Sequence, residues 1–174
     1  MMSKKRAIFQ EFSDNEKPFV SDSVGIIEKS SNDIARSTAQ IWLKALFLLI
    51  VLIILVGGLT RLTDSGLSIT EWKPITGALP PLSAESWASE FSKYKQIPEY
   101  KLQNEGMSLN DFKFIYWWEW GHRQLGRIIG LVWFLGFVSL MAFGKVQKSW
   151  RFRLLLIGVL IGIQGTVGWW MVSS

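Results

Sequence analysis

The stretch Ile41–Leu59, IWLKALFLLIVLIILVGGL, contains one charged residue, Lys44. Such a run is long enough to cross the hydrocarbon core of a bilayer as a helix, which takes about 20 residues. Two further runs share this character: Gln124–Gly144, with Arg127 as its only charge, and Leu154–Val172, with none. Helices of a soluble protein would carry polar faces, which these runs lack. We therefore predict an all-α integral membrane protein with three transmembrane helices, at about residues 41–59, 112–144 and 154–172.

The formal charge of +5 is distributed unevenly along the chain. Four basic residues lie within 145–153, whereas the segment 60–111 has seven acidic and five basic residues. Because cytoplasmic loops of membrane proteins are enriched in Lys and Arg, the N-terminus and the 145–153 link are predicted to be cytoplasmic. The long loop 60–111 then lies outside, and the basic charge reflects membrane topology, so no nucleic-acid partner is indicated.

The first forty residues are polar and mixed in charge, and show no clear helical periodicity. They lack the apolar core of a cleavable signal peptide, and acids such as Glu11 and Asp14 argue against a mitochondrial transit peptide. We predict a disordered cytoplasmic tail over 1–40 and a membrane domain over 41–174, in a bacterial inner membrane. The chain has no cysteine, so the outer loop is expected to be structured without disulfides.

Apolar residues recur within the loop at helical spacing over Ser86–Tyr94, which predicts a short amphipathic helix on the membrane surface. Ser108 or Asn110 can cap the second long helix, with Asp111 in the first turn, where the macrodipole favours an acid. Indole rings prefer the membrane interface. An aromatic belt is therefore the interpretation for two of the tryptophans that follow, Trp117 and Trp120.

The stretch YWWEWGHRQLGRIIG, residues 116–130, brings ionisable groups to the mouth of the second apolar run and includes the only histidine. Intramembrane ionisable residues are costly and are functional by default. On a helical wheel, one face collects six of these residues: Glu119, His122, Arg123, Gly126, Arg127 and Gly130. An alternative is purely structural, with Glu119 and Arg123 forming an ion pair four residues apart and the glycines packing helices.

A haem would satisfy these residues together. Imidazole is a common ligand of haem iron, so His122 is the predicted metal ligand. Arginine suits the propionates, so Arg123 or Arg127, with Arg61 at the outer end of the first helix, is predicted to bind them. Gly126 and Gly130 would line a flat slot for the macrocycle. The remaining acid, Glu119, could move protons.

Four motifs, in order along the chain, resemble the haem A synthase family: GGLTRLTDSGLSITEWKPITGALPP (57–81), FSKYKQIPEYKLQNEGMSL (91–109), FKFIYWWEWGHRQLGRIIG (112–130) and IQGTVGWWMVSS (163–174). The resemblance implies an eight-helix membrane protein of two four-helix halves, each with a pair of haem-ligating histidines. It implies oxidation of a ring methyl of haem O to the formyl of haem A, for use in cytochrome oxidase. His122 would be an axial ligand, and Glu119, from a Glu-x-x-His-Arg pattern, the catalytic acid.

The resemblance also implies haem b as cofactor and haem O as substrate. Implied partners are the remaining C-terminal half or a second chain, haem O synthase and cytochrome c oxidase subunits. The family's second histidine of this half lies on a fourth helix, whereas three are predicted here. We therefore expect a truncated or split N-terminal portion of this oxidoreductase. A non-catalytic haem-binding assembly component, a degenerate fragment, and a homodimer sharing haem between two His122 side chains are the alternatives.

Overall fold

The computed structural model describes residues 20–144 and 146–173, with side chains described over 33–144 and 146–172. These residues form five α-helices and one short 3-10 helix, Thr76–Ala78, and contain no strand. The helices are α1 Val20–Leu62, α2 Ala84–Tyr94, α3 Pro98–Gln103, α4 Leu109–Ala142 and α5 Lys148–Ser173.

Three segments are long and apolar enough to cross a membrane: Asp33–Leu62, Leu109–Ala142 and Lys148–Val172. The predicted all-α membrane class with three spanning helices is therefore confirmed. Each helix is longer than its apolar run, because polar residues extend it beyond the hydrocarbon.

Helix α1 begins before its apolar run, at Val20. The structure differs here from the expected disordered tail over 1–40, because residues 20–40 form one continuous helix with the membrane segment. The sequence does carry a spacing that favours this, since Val20, Val24 and Ile27 recur at the interval of one helix face. Residues 1–19 lie outside the described part of the chain.

Helix α4 is central and packs against α1 and α5, and also against α2 near its start. Two tryptophans connect neighbouring spanning helices. The Trp42 Nε1 of α1 donates to a backbone carbonyl of α4 at 2.9 Å, and its ring lies where a Cβ on Gly136 would be. The Trp133 Nε1 of α4 likewise donates to a carbonyl of α5 at 3.1 Å, and its ring covers Gly158. At both helix–helix contacts, the missing side chain of a glycine therefore leaves space for an indole ring.

Two pairs of glycines lie four residues apart on spanning helices, Gly126 with Gly130 on α4 and Gly158 with Gly162 on α5, and the members of each pair differ in their contacts. A Cβ at Gly126 would be 3.8 Å from Ile53 of α1, so this glycine faces a neighbouring helix. Gly130 and Gly162 face open space within the described residues. Close packing therefore occurs at Gly126, against Ile53, and at Gly158, against Trp133.

The predicted loop helix is present as α2, but its apolar face is covered by protein. Phe91 stacks on Phe112 of α4 with ring centroids 4.9 Å apart, and Trp87 meets Tyr116 edge-on at 4.9 Å. Tyr94 is fully buried in the same cluster. The helix therefore covers the N-terminal end of α4, which corrects the expectation that its apolar face lies on the membrane. The spacing of apolar residues predicted an amphipathic helix but could not identify the surface that covers it.

The start of α4 follows the predicted cap. Ser108 accepts a hydrogen bond from the Asp111 backbone N–H, and the Asp111 carboxylate accepts one from the Ser108 N–H. Of the two tryptophans assigned to an interfacial belt, Trp117 is 46% exposed. Trp120 instead packs against the α2 cluster, and its indole N–H is buried without a partner among the described residues. The belt interpretation is therefore wrong for Trp120.

Candidate functional site

The Glu119 carboxylate lies where the loop between α1 and α4 meets α4. Its Oε1 accepts from the Arg123 Nε at 3.0 Å and Nη2 at 2.5 Å. Its Oε2 accepts from the Ser68 hydroxyl at 2.7 Å and the Ile69 backbone N–H at 2.8 Å. The Glu119 side chain is 9% exposed and that of Arg123 11% exposed. Four donors thus saturate a buried carboxylate, and hydrogen bonds to a charged group are stronger than those between neutral groups.

A tight turn brings Ser68 and Ile69 to this carboxylate. Asp64 and Leu67 have positive φ angles of 48° and 61°, a region in which a bulky residue such as leucine is rare. The Ser65 N–H donates to a carbonyl of the last turn of α1 at 2.9 Å, which holds the turn against the helix end. The strained backbone persists because buried hydrogen bonds over-determine it.

Arg123 also fixes the loop that follows this turn. Its Nη2 donates to the Ile69 carbonyl at 2.6 Å and its Nη1 to the Glu71 carbonyl at 3.0 Å. The guanidinium lies 5.9 Å from the Trp72 ring centroid. Nearly all its donors therefore serve the loop and Glu119. The predicted structural alternative, an ion pair between Glu119 and Arg123, is present.

Arg127 holds the next part of the loop, two turns farther along α4 than Glu119. Its Nε donates to the Pro74 carbonyl at 2.9 Å and its Nη2 to the Lys73 carbonyl at 3.0 Å. The adjacent Gln124 donates to the Ala78 carbonyl. Both arginines predicted to bind propionates thus donate to loop carbonyls in this structure.

His122 lies beside Glu119 on α4, but its side chain faces α1 and not the loop. A Cβ placed on Gly57 would be 3.1 Å from its Nε2, so the imidazole lies directly over a position without a side chain. The ring is partly buried and has no hydrogen-bond partner among the described residues. Gly126, one turn farther along α4, faces α1 as well.

Arg61 lies one turn beyond Gly57 on the same face of α1, and its side chain is exposed with no partner in the described part of the chain. The predicted single face therefore divides into two. Glu119, Arg123 and Arg127 hold the loop, while His122 and Gly126 face α1. Gly130 contacts neither within 4 Å.

A groove of about 380 Å³ separates the loop from α2 and α4 on the Arg123 side. At its edge, hydrogen bonds from Lys73 and Lys93 lower the pKa of Glu71 to about 2. The same contact with Glu71, and another with Glu90, raise the pKa of Lys93. The groove and this ionic network lie away from His122.

Three residues of the site were not found by sequence reasoning. Gly57 carries a signal, because a Gly-Gly pair ends the first apolar run. Ser68 and Ile69 carry none, since a loop serine and a backbone N–H have no pattern that points to a carboxylate some fifty residues later. Within the described residues, no three His, Asp or Glu side chains converge as a metal site. A single free imidazole thus fits a haem better than a mononuclear ion held only by side chains.

Comparison with known proteins gives a consistent result. The COX15-CtaA family model, described as cytochrome oxidase assembly protein, matches residues 40–174. Relatives called heme A synthase include those of Dinoroseobacter shibae, 59% identical over 99% of this chain, and Ruegeria pomeroyi, 57% identical over 99%. A third, from Cereibacter sphaeroides, is 55% identical over the whole chain. The chain spans about 45% of the length of these relatives. No solved structure gives a significant match.

Proposed function

The chain belongs to the COX15-CtaA family of cytochrome oxidase assembly proteins, and on that premise we propose that it is part of a haem A synthase. The proposed reaction oxidises a ring methyl of haem O to the formyl of haem A, for cytochrome oxidase. Relatives called heme A synthase, at 53–59% identity, support the proposal. The activity would be that of a complete protein, because the chain covers 45% of these relatives.

The observation that carries the proposal is the environment of His122. Its imidazole is partly buried, has no partner among the described residues, and lies over Gly57 with Nε2 at the glycine surface. A ring nitrogen that has no protein partner and lies over a glycine is suited to ligate a metal, and neutral imidazole is a haem ligand.

The neighbouring residues support the proposal that haem b is held at this position. Arg61, exposed at the outer end of α1 and one turn from Gly57, would pair with a propionate. Gly126 presents no side chain where α4 faces Ile53 of α1, and Gly130, one turn farther along, faces open space. Haem bound here would supply the iron redox chemistry that oxidation of an unactivated methyl requires, which side chains do not provide.

Glu119 and Arg123 would act from the part of α4 that faces the loop. The family motif implies a catalytic acid at Glu119, and its contacts support a positioning role. Its two oxygens hold the turn at Ser68 and Ile69, and Arg123 holds the following carbonyls. Proton transfer through Glu119 would first require one of these hydrogen bonds to open. Arg127 would serve the loop in the same way, more directly than it would serve a propionate.

The proposed location is the bacterial inner membrane, with the N-terminus cytoplasmic and the loop between α1 and α4 outside. The four basic residues of 145–153 support this orientation. The proposed partners are the remaining half of the protein, haem O synthase as the source of substrate, and cytochrome c oxidase subunits as recipients of haem A.

The test is complementation of cells that lack haem A. The protein carrying His122→Ala should yield no haem A on pigment extraction, because the ligating nitrogen is lost. Ile128→Val, at an exposed position of α4 to which no contact of the site is assigned, is the control and should retain the pigment. Haem A at the wild-type level from His122→Ala would refute the assignment of this site.

A further inference from the structure

We propose that the loop segment Pro74–Leu82, PITGALPPL, is a lipid-contacting anchor that inserts beside α4 into the acyl-chain boundary of the bilayer. The segment carries no charge. Its larger apolar side chains are turned outward, with Ile75 84%, Leu79 74% and Leu82 83% exposed. Exposed apolar side chains clustered in one short segment mark a protein or membrane contact.

Its depth along α4 identifies the membrane as the contact. Helix α4 has 34 residues, which at 1.5 Å per residue is about 51 Å, whereas the hydrocarbon core takes about 20 residues. Counted back from Ala142, next to the basic link, the core reaches roughly residue 123. Gln124 and Arg127, which bind the segment, lie just inside that boundary. Interfacial anchors are buried about 5–10 Å into this zone.

The backbone of the segment is partly satisfied by the protein, and the N–H groups of Ile75, Thr76 and Leu82 are left to the hydrated headgroup region. Irregular backbone is tolerated near hydrocarbon only where its polar groups are satisfied. Arg127 and Gln124 bind the carbonyls of Lys73, Pro74 and Ala78. The 3-10 turn uses the Gly77 and Ala78 N–H groups at 3.1 Å each. Three of the nine residues are prolines, which have no N–H to satisfy.

The segment also continues a lipid-facing surface. Leu131 follows Arg127 by one turn and is 57% exposed, and Leu135 and Val138 extend the same stripe at 54% and 45% exposed. An apolar helix face at membrane depth contacts acyl chains, so a segment held at the top of this face meets the same lipids. This gives Arg127 a reason to lie within an apolar helix: its guanidinium satisfies the carbonyls of the anchor.

Because the chain contains no cysteine, each introduced cysteine is the single labelling site within it. Single cysteines at Ile75, Leu79 and Leu82 are spin-labelled in the protein reconstituted into phosphatidylcholine vesicles. The control is Leu102→Cys on α3, where the native leucine is 81% exposed but belongs to the part of the loop beyond the outer end of α4. Collision rates with oxygen, which concentrates in lipid, are compared with those of a water-soluble nickel chelate.

The proposal predicts that oxygen collisions dominate at Ile75, Leu79 and Leu82 and that nickel collisions dominate at Leu102. Adding Arg127→Gln to the labelled proteins should shift the three sites toward nickel, because the carbonyls lose their clamp. Nickel dominance at the three sites in the parent protein would show an aqueous loop and overturn the proposal. Low collision rates with both reagents would show a protein cover and overturn it equally.

Discussion

Replacing Glu119 with glutamine tests whether this carboxylate holds the loop between α1 and α4 to α4. The two Glu119 oxygens each accept two hydrogen bonds. A glutamine has one oxygen, so its NH2 group must face either Arg123 or the Ser68 and Ile69 donors. Both side chains of the ion pair are about nine-tenths buried. Breaking a buried pair on one side costs about 3–5 kcal/mol.

The reporter is hydrogen exchange of the Ile69 amide, which donates to Glu119. Since about 1.4 kcal/mol is a factor of ten, Glu119→Gln should speed exchange there by roughly two to three and a half powers of ten. Ser68→Ala removes one bond to the carboxylate, worth about 1.5–3 kcal/mol, and should speed exchange by roughly ten- to a hundredfold. Exchange is followed by mass spectrometry of the peptide that contains residue 69.

Glu90→Gln is the matched control for this experiment. Glu90 is also a loop-side carboxylate, but its partner Lys93 is 35% exposed. Such a pair is worth at most about 1 kcal/mol, so exchange should rise less than about fivefold. If Glu119→Gln remains within that same fivefold range in a folded protein, the carboxylate does not hold the loop and the reasoning is refuted.

Gly57→Ala should weaken haem binding in a spectral titration, because its Cβ would approach the His122 Nε2 to 3.1 Å, while Gly58→Ala, which faces open space, should not. Acidification should loosen the loop between about pH 4.5 and 2. The pKa of Glu71 is lowered from 4.5 in the unfolded chain to about 2 in the folded protein, so the stability that its ion pairs contribute is complete above pH 4.5 and is lost as the pH falls through 2. Tryptophan fluorescence would follow this, and Glu71→Gln should remove it. Ser108→Ala should lower stability by about 1 kcal/mol in chemical denaturation, through loss of the cap.

The spanning helices could be predicted from sequence because the signal is local. Runs such as Ile41–Leu59 exceed what any soluble helix needs, and Ser108 with Asp111 forms a cap within four residues. The start of α1 was missed because the spacing of Val20, Val24 and Ile27 is diluted by charged neighbours. The polar composition of residues 1–40 predicts a disordered tail, although a helix can continue beyond the bilayer when only a few apolar residues recur at helical spacing.

The site was harder to predict because its contacts join distant parts of the chain. A helical wheel places Glu119, His122 and Arg127 near one another on one face of α4. It does not show that one part of this face meets the loop and another part meets α1. Glu119 meets Ser68 at a separation of 51 residues through a turn with leucine at positive φ, which no propensity favours. The surface that covers α2 could not be predicted either, because an amphipathic helix has the same sequence pattern whether its apolar face meets lipid or a protein side chain such as Phe112.

Ligation of haem iron by His122 is tested most directly by resonance Raman spectroscopy of the purified haem-loaded protein. The account predicts an iron–imidazole coordination signature that is lost or altered in His122→Ala and restored when free imidazole is added to that variant. Spectra of His122→Ala that match those of the parent protein, with haem bound at the same stoichiometry, would contradict it.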